Sequence, residues 1–411
     1  MKSIYPSTIP EVMLYAADSL GVNLPQLARV DAKINRLIET GEHKFIGLRV
    51  LRHGQLIFDG QYGTTGLGRD AIPLPHDAIY PLLSVSKVFT AACIMILQEW
   101  GEVNLYDCVY EWFPEYTDKP GVQLWHLLCH SSGMDEEKTN AWIEEWIKAE
   151  TGCELPSWNE DGKERSHLIL SVREKLGMPD IATIDDVWMT LTLRAPLSYP
   201  IHTQFSYNST CYDIIKMLVE RISGQTLEQF AYDNIFRPLG MDDTHWALPP
   251  EKCGRRVIRD PSHKGGAYIN SDSFAQSTSA SGGLKSTLAD MLLFGQMCLQ
   301  GGTLRGNRIL SPATVALMAR DMNADLPPSL WDGRPLSSSW GLGWDAKNGK
   351  IDDLGMLRSE NSYNHSGYGG ARLLVDPDAE LVTAFYMCEK EESSMYDNMR
   401  NVCDALYAAL D

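Results

Sequence analysis

Both ends of this 411-residue chain carry the pattern of a helix next to a β-hairpin. Near the N-terminus, apolar residues recur at helical spacing over residues 24–40, and two strand-like runs then meet at His53-Gly54. Near the C-terminus, a second hairpin turns at residues 376–378 and is followed by an amphipathic helix. Hairpins at both ends predict one mainly antiparallel sheet, built from the two chain termini and flanked by helices.

The middle of the chain predicts helices instead. Helical periodicity is present at residues 86–100, 139–148, 165–176, 184–192 and 211–223. We therefore expect an α+β fold of two lobes. Residues 1–85 and 255–411 would form the α/β sheet lobe, and residues 86–254 would form an inserted all-helical lobe. A cleft between two such lobes is a common place for a small-molecule site.

The charge balance argues against nucleic acid as a partner. The chain has 36 lysines and arginines against 54 aspartates and glutamates, a formal charge of −18 that would repel a phosphate backbone. The N-terminal stretch lacks the unbroken apolar region of a signal peptide. The longest strongly apolar run, Val88 to Leu97, is about half of the roughly 20 residues that a membrane helix needs. We expect a cytoplasmic protein with no membrane partner.

Cysteines and histidines give no pattern of a metal site or of a disulfide framework. The nine cysteines contain no C-x-x-C pair, which favours reduced thiols in a cytoplasm. His126 and His130 are four residues apart, but the glutamate of H-E-x-x-H is missing. We therefore interpret them as a structural pair and expect no metal and no cofactor.

Ser84 and Lys87 lie three positions apart where a helical pattern begins. Residues at this spacing are neighbours on a helix, so a buried lysine could accept the proton of the serine hydroxyl. The N–H groups at a helix start could also stabilise an oxyanion. The alternative is that the serine caps the helix and the lysine is solvated. An S-x-x-K pair alone does not decide between the two.

Two further segments supply groups that such a nucleophile needs. Tyr207 precedes a helical pattern, and a tyrosine beside a lysine can move protons between nucleophile and leaving group. Its alternative role is that of a buried aromatic beneath a loop. The sequence His365-Ser366-Gly367 runs into the C-terminal hairpin, where the N–H of Tyr368, expected on an edge strand, could donate to an oxyanion.

In this order, the three segments resemble the serine β-lactamase and penicillin-binding-protein superfamily, in particular its class C β-lactamase-like branch, which includes esterases and D-amino-acid peptidases. The resemblance implies that Ser84 is the acylated nucleophile and Lys87 its proton acceptor. It implies that Tyr207 is the general base that passes a proton to the leaving group, and that the amides of Ser84 and Tyr368 form the oxyanion hole. Further stretches look like family landmarks in family order: "WGEVNLYDCVYEWFPEY", "LWHLLCHSSGM", "FRPLGMDDTHW", "SASGGLKSTLADMLLFGQMCLQGG" and "SWGLGW".

The chain departs from this pattern at the substrate-binding positions. His365 stands where β-lactamases of this branch have the lysine of K-T-G, and Ser209 stands in place of the asparagine of Y-x-N. Together with Ser366 and Gly367 these residues are expected to contact the substrate. An imidazole is mostly neutral at pH 7, which shifts the expectation from β-lactams toward esters or amides. The segment at about 135–185 looks longer than is typical of the family, and its tryptophans would form either a lid or ordinary packing.

The resemblance predicts a serine hydrolase that cleaves a small-molecule ester, amide or peptide through an acyl-enzyme on Ser84. One alternative is an acyltransferase that uses the same intermediate. Another is a ligand-binding or sensor module that does not turn over. The sequence does not reveal the physiological substrate, because pocket shape depends on loops, and it leaves the oligomeric state open.

Overall fold

The computed structural model of the chain describes residues 7–11, 13–263, 265–331, 334–350, 352, 354–389 and 392–411. Seven of its strands form one antiparallel sheet, and the other six form three two-stranded sheets. The strands are β1 His43–Arg52, β2 Gln55–Thr65, β3 Ile72–Pro73, β4 Tyr80–Pro81, β5 Lys285–Ser286, β6 Thr303–Leu304, β7 Asn307–Arg308, β8 Ser329–Trp331, β9 Arg334–Leu336, β10 Asp345–Ala346, β11 Tyr363–Ser366, β12 Ala371–Asp376 and β13 Leu381–Glu389.

Sixteen helices are also present in the described chain. They are α1 Met13–Ala16, α2 Leu24–Glu39, α3 Ser86–Trp100, α4 Val109–Trp112, α5 Leu124–Leu128, α6 Glu136–Thr151, α7 Trp158–Ser171, α8 Ile184–Arg194, α9 Thr210–Ser223, α10 Leu227–Ala231, α11 Arg237–Leu239, α12 Gly266–Ile269, α13 Asp272–Ala275, α14 Leu288–Leu299, α15 Pro312–Ala319 and α16 Glu392–Tyr407. Helices α3 to α11 all lie within residues 86–239, the segment whose periodicity predicts helices.

The seven-stranded sheet joins the two ends of the chain, as the hairpin patterns predict. Its strand order is β10-β11-β12-β13-β1-β2-β3. Strand β13 from the C-terminal hairpin pairs with β1 from the N-terminal hairpin, where Phe385 lies opposite Leu48. Both predicted turns are present, at His53-Gly54 between β1 and β2 and at residues 377–380 between β12 and β13. The prediction of a mainly antiparallel sheet from both termini is confirmed.

Helices cover both faces of the sheet. Helices α2 and α16 pack on one face, against alternate residues of β1 such as Ile46, Leu48 and Val50. Helix α14 packs on the other face and contacts β1, β12 and β13. Because successive side chains of a strand point to opposite faces, a sheet that is covered on both sides has few polar positions. All six residues of β12 are buried, as this arrangement requires.

Helix α3 forms the centre of the helical region. Its residues from Ser86 to Leu97 are buried on every side of the helix, so it is a core helix with no solvent face over that length. By length and composition, Leu83–Trp100 is one segment that would also suit a membrane span. However, 72% of that segment is buried inside the protein, which is typical of a soluble core helix.

The segment predicted as an insertion, at about 135–185, forms helices α6 and α7 and the loop before α8. These helices and α8 enclose a small apolar cluster of their own, which includes Ile143, Ile147 and Leu191. Trp142 and Trp146 pack against that cluster. Of the two roles considered for the tryptophans, these two therefore have the packing role. The side chain of Trp158 lies outside the described part of the chain.

Candidate active site

Ser84 lies in a tight turn that leads directly into the buried helix α3. The turn spans Leu83–Val85, and Leu83 has a left-handed backbone with φ of 47°. A non-glycine residue in this region is strained, and such strain persists only where surrounding contacts hold it. The hydroxyl of Ser86 supplies two of those contacts, since it donates to the Leu83 carbonyl (2.6 Å) and accepts the N–H of Leu284 (3.0 Å). The turn holds Ser84 half-exposed at the start of the helix.

Lys87 is fully buried, and its ammonium group contacts the predicted nucleophile. Its Nζ lies 3.1 Å from Ser84 Oγ, 3.4 Å from Ser209 Oγ and 3.0 Å from the carbonyl oxygen of Ser281. As an ammonium, the group can donate to all three oxygens. As a neutral amine, it can accept the proton of Ser84 while it still donates to the other two. The site can therefore accommodate Lys87 both as a neutral amine and as an ammonium, the two states of a proton acceptor.

Tyr207 lies beside this pair, at the end of the loop before α9. Lys87 Nζ is 4.9 Å from the centre of the tyrosine ring, and the tyrosine hydroxyl is 3.3 Å from His365 Nε2. The ring is held between His130, at 4.4 Å between ring centres, and Trp340, at 5.6 Å. Three segments more than a hundred residues apart in sequence therefore converge, as the sequence analysis expected.

Hydrogen bonds define the tautomer of His365. Its Nδ1 lies 2.7 Å from the carbonyl oxygen of Gly343, which can only accept, so Nδ1 carries the proton. In the neutral ring Nε2 is then the acceptor, and the Tyr207 hydroxyl donates to it. Gly343 has φ of 90°, and a Cβ there would lie 2.7 Å from the Cβ of Ala91. Only glycine lets this carbonyl approach the histidine without displacing α3.

Burial keeps His365 uncharged. Desolvation, followed by the positive charge of Lys87, lowers the pKa of His365 from 6.5 to about 3. In the unfolded chain the ring would take up a proton near pH 6.5, so between pH 6.5 and 3 the unfolded state binds more protons than the folded state. Falling pH then favours unfolding, and the stability that neutral burial provides at pH 7 is progressively lost.

We therefore expect the free energy of unfolding of the wild-type protein to decrease, relative to that of a His365→Gln variant, as pH falls from 7 to 4. The slope should approach about 1.4 kcal/mol per pH unit below pH 6.5. Urea denaturation of both proteins at several pH values measures this difference. His167→Gln is the control, because the His167 side chain is exposed. A wild-type advantage that is constant with pH would contradict a neutral, buried His365.

The turn after β11 lies close to the segment that precedes Ser84. A Cβ on Gly367 would lie 2.1 Å from the carbonyl oxygen of Leu82, so the glycine permits close approach of the turn to the segment before Ser84. The expectation that Tyr368 lies on an edge strand is wrong. Tyr368 lies in the turn after β11, and β11 itself is covered by the two-residue strand β10. Such a short strand leaves too little pattern to be detected in sequence.

Not every expected substrate contact faces the nucleophile. The hydroxyl of Ser366 donates to the side-chain oxygen of Asn364 (3.4 Å), two residues earlier on the same strand. Because residues alternate across a strand, these two side chains lie on the face opposite to His365. Ser209 lies within the site, but its described side-chain contact is with Lys87.

The structure adds residues to the site that sequence reasoning did not identify. The Ser281 carbonyl binds Lys87, and Glu136 accepts the backbone N–H of Ser209 through Oε2 at 2.6 Å. Asp213 on α9 accepts the N–H of Ala280 at 3.3 Å and so holds the loop that carries the Ser281 carbonyl. The sequence stretch around Ser281, which looks like a family landmark, was the signal that could have pointed to this part of the site. A backbone carbonyl or a single acidic residue has no sequence motif by which it could be identified.

The two histidines considered as a metal pair have structural roles. His126 Nδ1 accepts the N–H of Gln123, and His130 Nδ1 accepts the N–H of Asn208. Within the ranges that the structure describes, no group of three or more histidine, cysteine, aspartate or glutamate side chains is arranged to hold a metal ion. All nine cysteines are described, and all are free thiols.

Several known proteins are similar to this chain. A putative D-alanyl-D-alanine carboxypeptidase of Escherichia coli K12 is 20% identical over 99% of this chain and 96% of its own length. The crystal structure of a family VIII carboxylesterase superposes with a TM-score of 0.69 and 17% identity, covering 95% of this chain and 99% of that one. EstCE1, a hydrolase with promiscuous acyltransferase activity, superposes with a TM-score of 0.66 and 20% identity, covering 93% and 98% of the two chains.

The structural similarities show a common fold, which is that of the β-lactamases and transpeptidases. The sequence itself also matches the family model described as Beta-lactamase over residues 30–406, nearly the whole chain. The resemblance inferred from the three motifs is therefore confirmed, and the chain belongs to the beta-lactamase family, within the superfamily of serine β-lactamases and penicillin-binding proteins.

Proposed function

We propose that the protein is a serine hydrolase that cleaves a small ester or amide through an acyl-enzyme on Ser84. The observation that carries the proposal is the 3.1 Å contact between Ser84 Oγ and Lys87 Nζ, made by a lysine that is fully shielded from water. A solvated lysine or a simple helix cap would not need this arrangement. Membership of the beta-lactamase family supports a hydrolase more generally.

The proposed reaction uses Ser84, Lys87, Tyr207 and two backbone amides. Ser84 Oγ attacks the acyl carbonyl while its proton passes to Lys87, and the oxyanion forms beside the amides of Ser84 and Tyr368. Tyr207 gives its proton to the leaving group, and the proton held by Lys87 returns to the tyrosine. A water molecule then attacks the acyl-enzyme by the reverse set of transfers, which releases the acid and restores Ser84.

The state of His365 supports esters and amides as the substrate class. A neutral imidazole that donates from Nδ1 to a backbone carbonyl offers no fixed positive charge to a carboxylate. It can instead accept the hydrogen bond of the Tyr207 hydroxyl and so orient it. The names of the similar proteins, a carboxypeptidase and a carboxylesterase, fall in the same class of acyl-transfer chemistry.

Acyl transfer and turnover can be tested together. With a short-chain p-nitrophenyl ester, we expect a burst of p-nitrophenol near one equivalent followed by many turnovers, and an intact mass increased by the acyl group that maps to Ser84. A competing alcohol or amine distinguishes a hydrolase from an acyltransferase, since an acyltransferase would yield mostly the product acylated on the added alcohol or amine. A stable adduct without further turnover would identify a binding or sensor module and overturn the proposal.

Tyr207→Phe tests the proposed proton transfer to the leaving group. The substitution removes only the hydroxyl and keeps the ring contacts with His130 and Trp340. We expect kcat for a p-nitrophenyl ester to fall about 10²-fold or more. Tyr106→Phe is the matched control, because Tyr106 is 70% exposed and lies outside the site. If Tyr207→Phe kept full activity, Tyr207 would have only a packing role.

A further inference from the structure

We infer that the acyl group of the natural substrate carries a positively charged amine, which binds in a cavity beside Ser209. This inference rests on the proposed function and specifies its substrate. The cavity has a volume of about 400 Å³ and lies between α9 and the helices α6 to α8. It is lined by Glu136, Asn140, Glu144, Arg165, Trp188, Met189, Thr210 and Asp213.

Ser209 links the cavity to the catalytic groups. Glu136, which lines it, accepts the backbone N–H of Ser209, and the hydroxyl of the same serine contacts Lys87. Thr210, the next residue, also lines the cavity. In this inference, a chain on the acyl group bound to Ser84 passes Ser209 and enters the cavity.

Proton transfer decides which part of the substrate faces the cavity. In the proposed mechanism the leaving group takes its proton from Tyr207, so it lies on the side of Tyr207 and His365. Lys87 contacts the hydroxyl of Ser209, and Glu136 accepts the N–H of Ser209. The acyl group is the part of the substrate that remains on Ser84, so in this inference it is the part that extends toward them. The cavity would then select the acyl group and leave the leaving group free to vary.

The charges that line the cavity are not balanced. Three carboxylates and one guanidinium are present, and the guanidinium of Arg165 is already paired with Glu144 at 2.8 Å. In the described part of the chain, Glu136 and Asp213 form no ion pair, and Lys87 and Lys216 act on Asp213 only at longer range. Burial raises the pKa of Asp213 to about 6, so this carboxylate is ionised at pH 8.

The walls also suit an amine attached to an alkyl chain. Trp188 and Met189 provide apolar surface, and Trp188 already stacks against the Arg165 guanidinium at 5.5 Å. An ammonium group at the end of a chain of several methylenes would place its charge at the carboxylates and its methylenes on these side chains. A carboxylate at the same position would be repelled by the two unpaired acids.

Two p-nitrophenyl esters of matched shape test the inference at pH 8: the 6-aminohexanoate, which ends in an ammonium group, and the heptanoate, which ends in a methyl group. We expect kcat/KM for the 6-aminohexanoate to exceed that for the heptanoate by about tenfold, equivalent to about 1.4 kcal/mol. Equal values for the two esters, with the heptanoate still hydrolysed through Ser84, would overturn the inference and leave the proposed function intact. No acyl adduct on Ser84 from either ester would overturn both.

Charge-neutral variants identify the carboxylates that favour the ester with an ammonium group. Glu136→Gln and Asp213→Asn retain the oxygens that accept the N–H groups of Ser209 and Ala280, so each removes a charge and keeps the hydrogen bond. We expect each to lower the ratio of kcat/KM between the two esters at least threefold, whatever it does to the absolute rates. Glu137→Gln removes a charge from the exposed side of the same helix and should leave the ratio unchanged. A ratio that falls equally in all three variants would indicate a general effect of net charge and contradict the cavity as the site.

Discussion

Ser84→Ala is expected to abolish turnover of a short-chain p-nitrophenyl ester, with a loss in kcat of about 10³-fold or more, because no acyl-enzyme can form without the hydroxyl. The substitution removes one oxygen atom from a half-exposed position, so the fold should be retained. Stopped-flow absorbance measures the missing burst of p-nitrophenol, and intact mass spectrometry measures the missing acyl adduct.

Ser171→Ala provides the matched control for this variant. Ser171 lies on the solvent side of α7, where its hydroxyl donates only to the Leu168 carbonyl. Circular dichroism and thermal unfolding should show that both variants fold as the wild type does. Full activity in a folded Ser84→Ala protein would remove the nucleophile assignment, and with it the role given to Lys87.

Lys87→Met is expected to lower kcat by about 10²- to 10⁴-fold, because it removes the group that accepts the serine proton. Methionine fits this buried position better than alanine, since it fills most of the volume of the lysine chain and needs no counter-charge. It leaves the Ser281 carbonyl without the ammonium donor that lies 3.0 Å away, so some loss of stability should accompany the loss of rate.

The two effects can be separated by measuring acylation and stability on the same sample. Lys148→Met, on the exposed surface of α6 where Lys148 pairs with Glu154, is the control for replacing a lysine by methionine. If Lys87→Met formed the acyl-enzyme at the wild-type rate, the lysine would be a structural cation. The serine would then require another base, for which Tyr207, whose ring centre lies 4.9 Å from Lys87 Nζ, is a candidate.

Local patterns were enough to predict most of the secondary structure that positions the site. The two hairpins and their flanking helices follow from side-chain periodicity and turn residues, which depend only on near neighbours in sequence. The same is true of the start of α3 near Ser84, since helix starts have local signals. The expectation of an edge strand at Tyr368 was wrong for a physical reason. The strand β10, which covers β11, has only two residues and is too short to show a periodic pattern in the sequence.

The function of the long segment at about 135–185 could not be predicted in the same way. Its tryptophans could form a lid or wall over the cleft or pack within the helical lobe, and the structure shows Trp142 and Trp146 packed on the cluster of α6, α7 and α8. The cavity that these helices form with α9 depends on how four helices approach one another. Crossing angles and distances between helices are set by packing of side chains distant in sequence, which a single sequence does not display.

The family, the antiparallel sheet and the three motif segments can be identified without coordinates, because each is encoded in short stretches of residue types. Three features of the site required the folded structure. Lys87 is fully buried against Ser84 and the Ser281 carbonyl, His365 presents Nε2 to Tyr207, and two carboxylates without an ion pair in the described chain border a cavity beside Ser209. These features depend on distances, burial and hydrogen-bond direction between groups far apart in the chain, and such quantities exist only after the chain has folded.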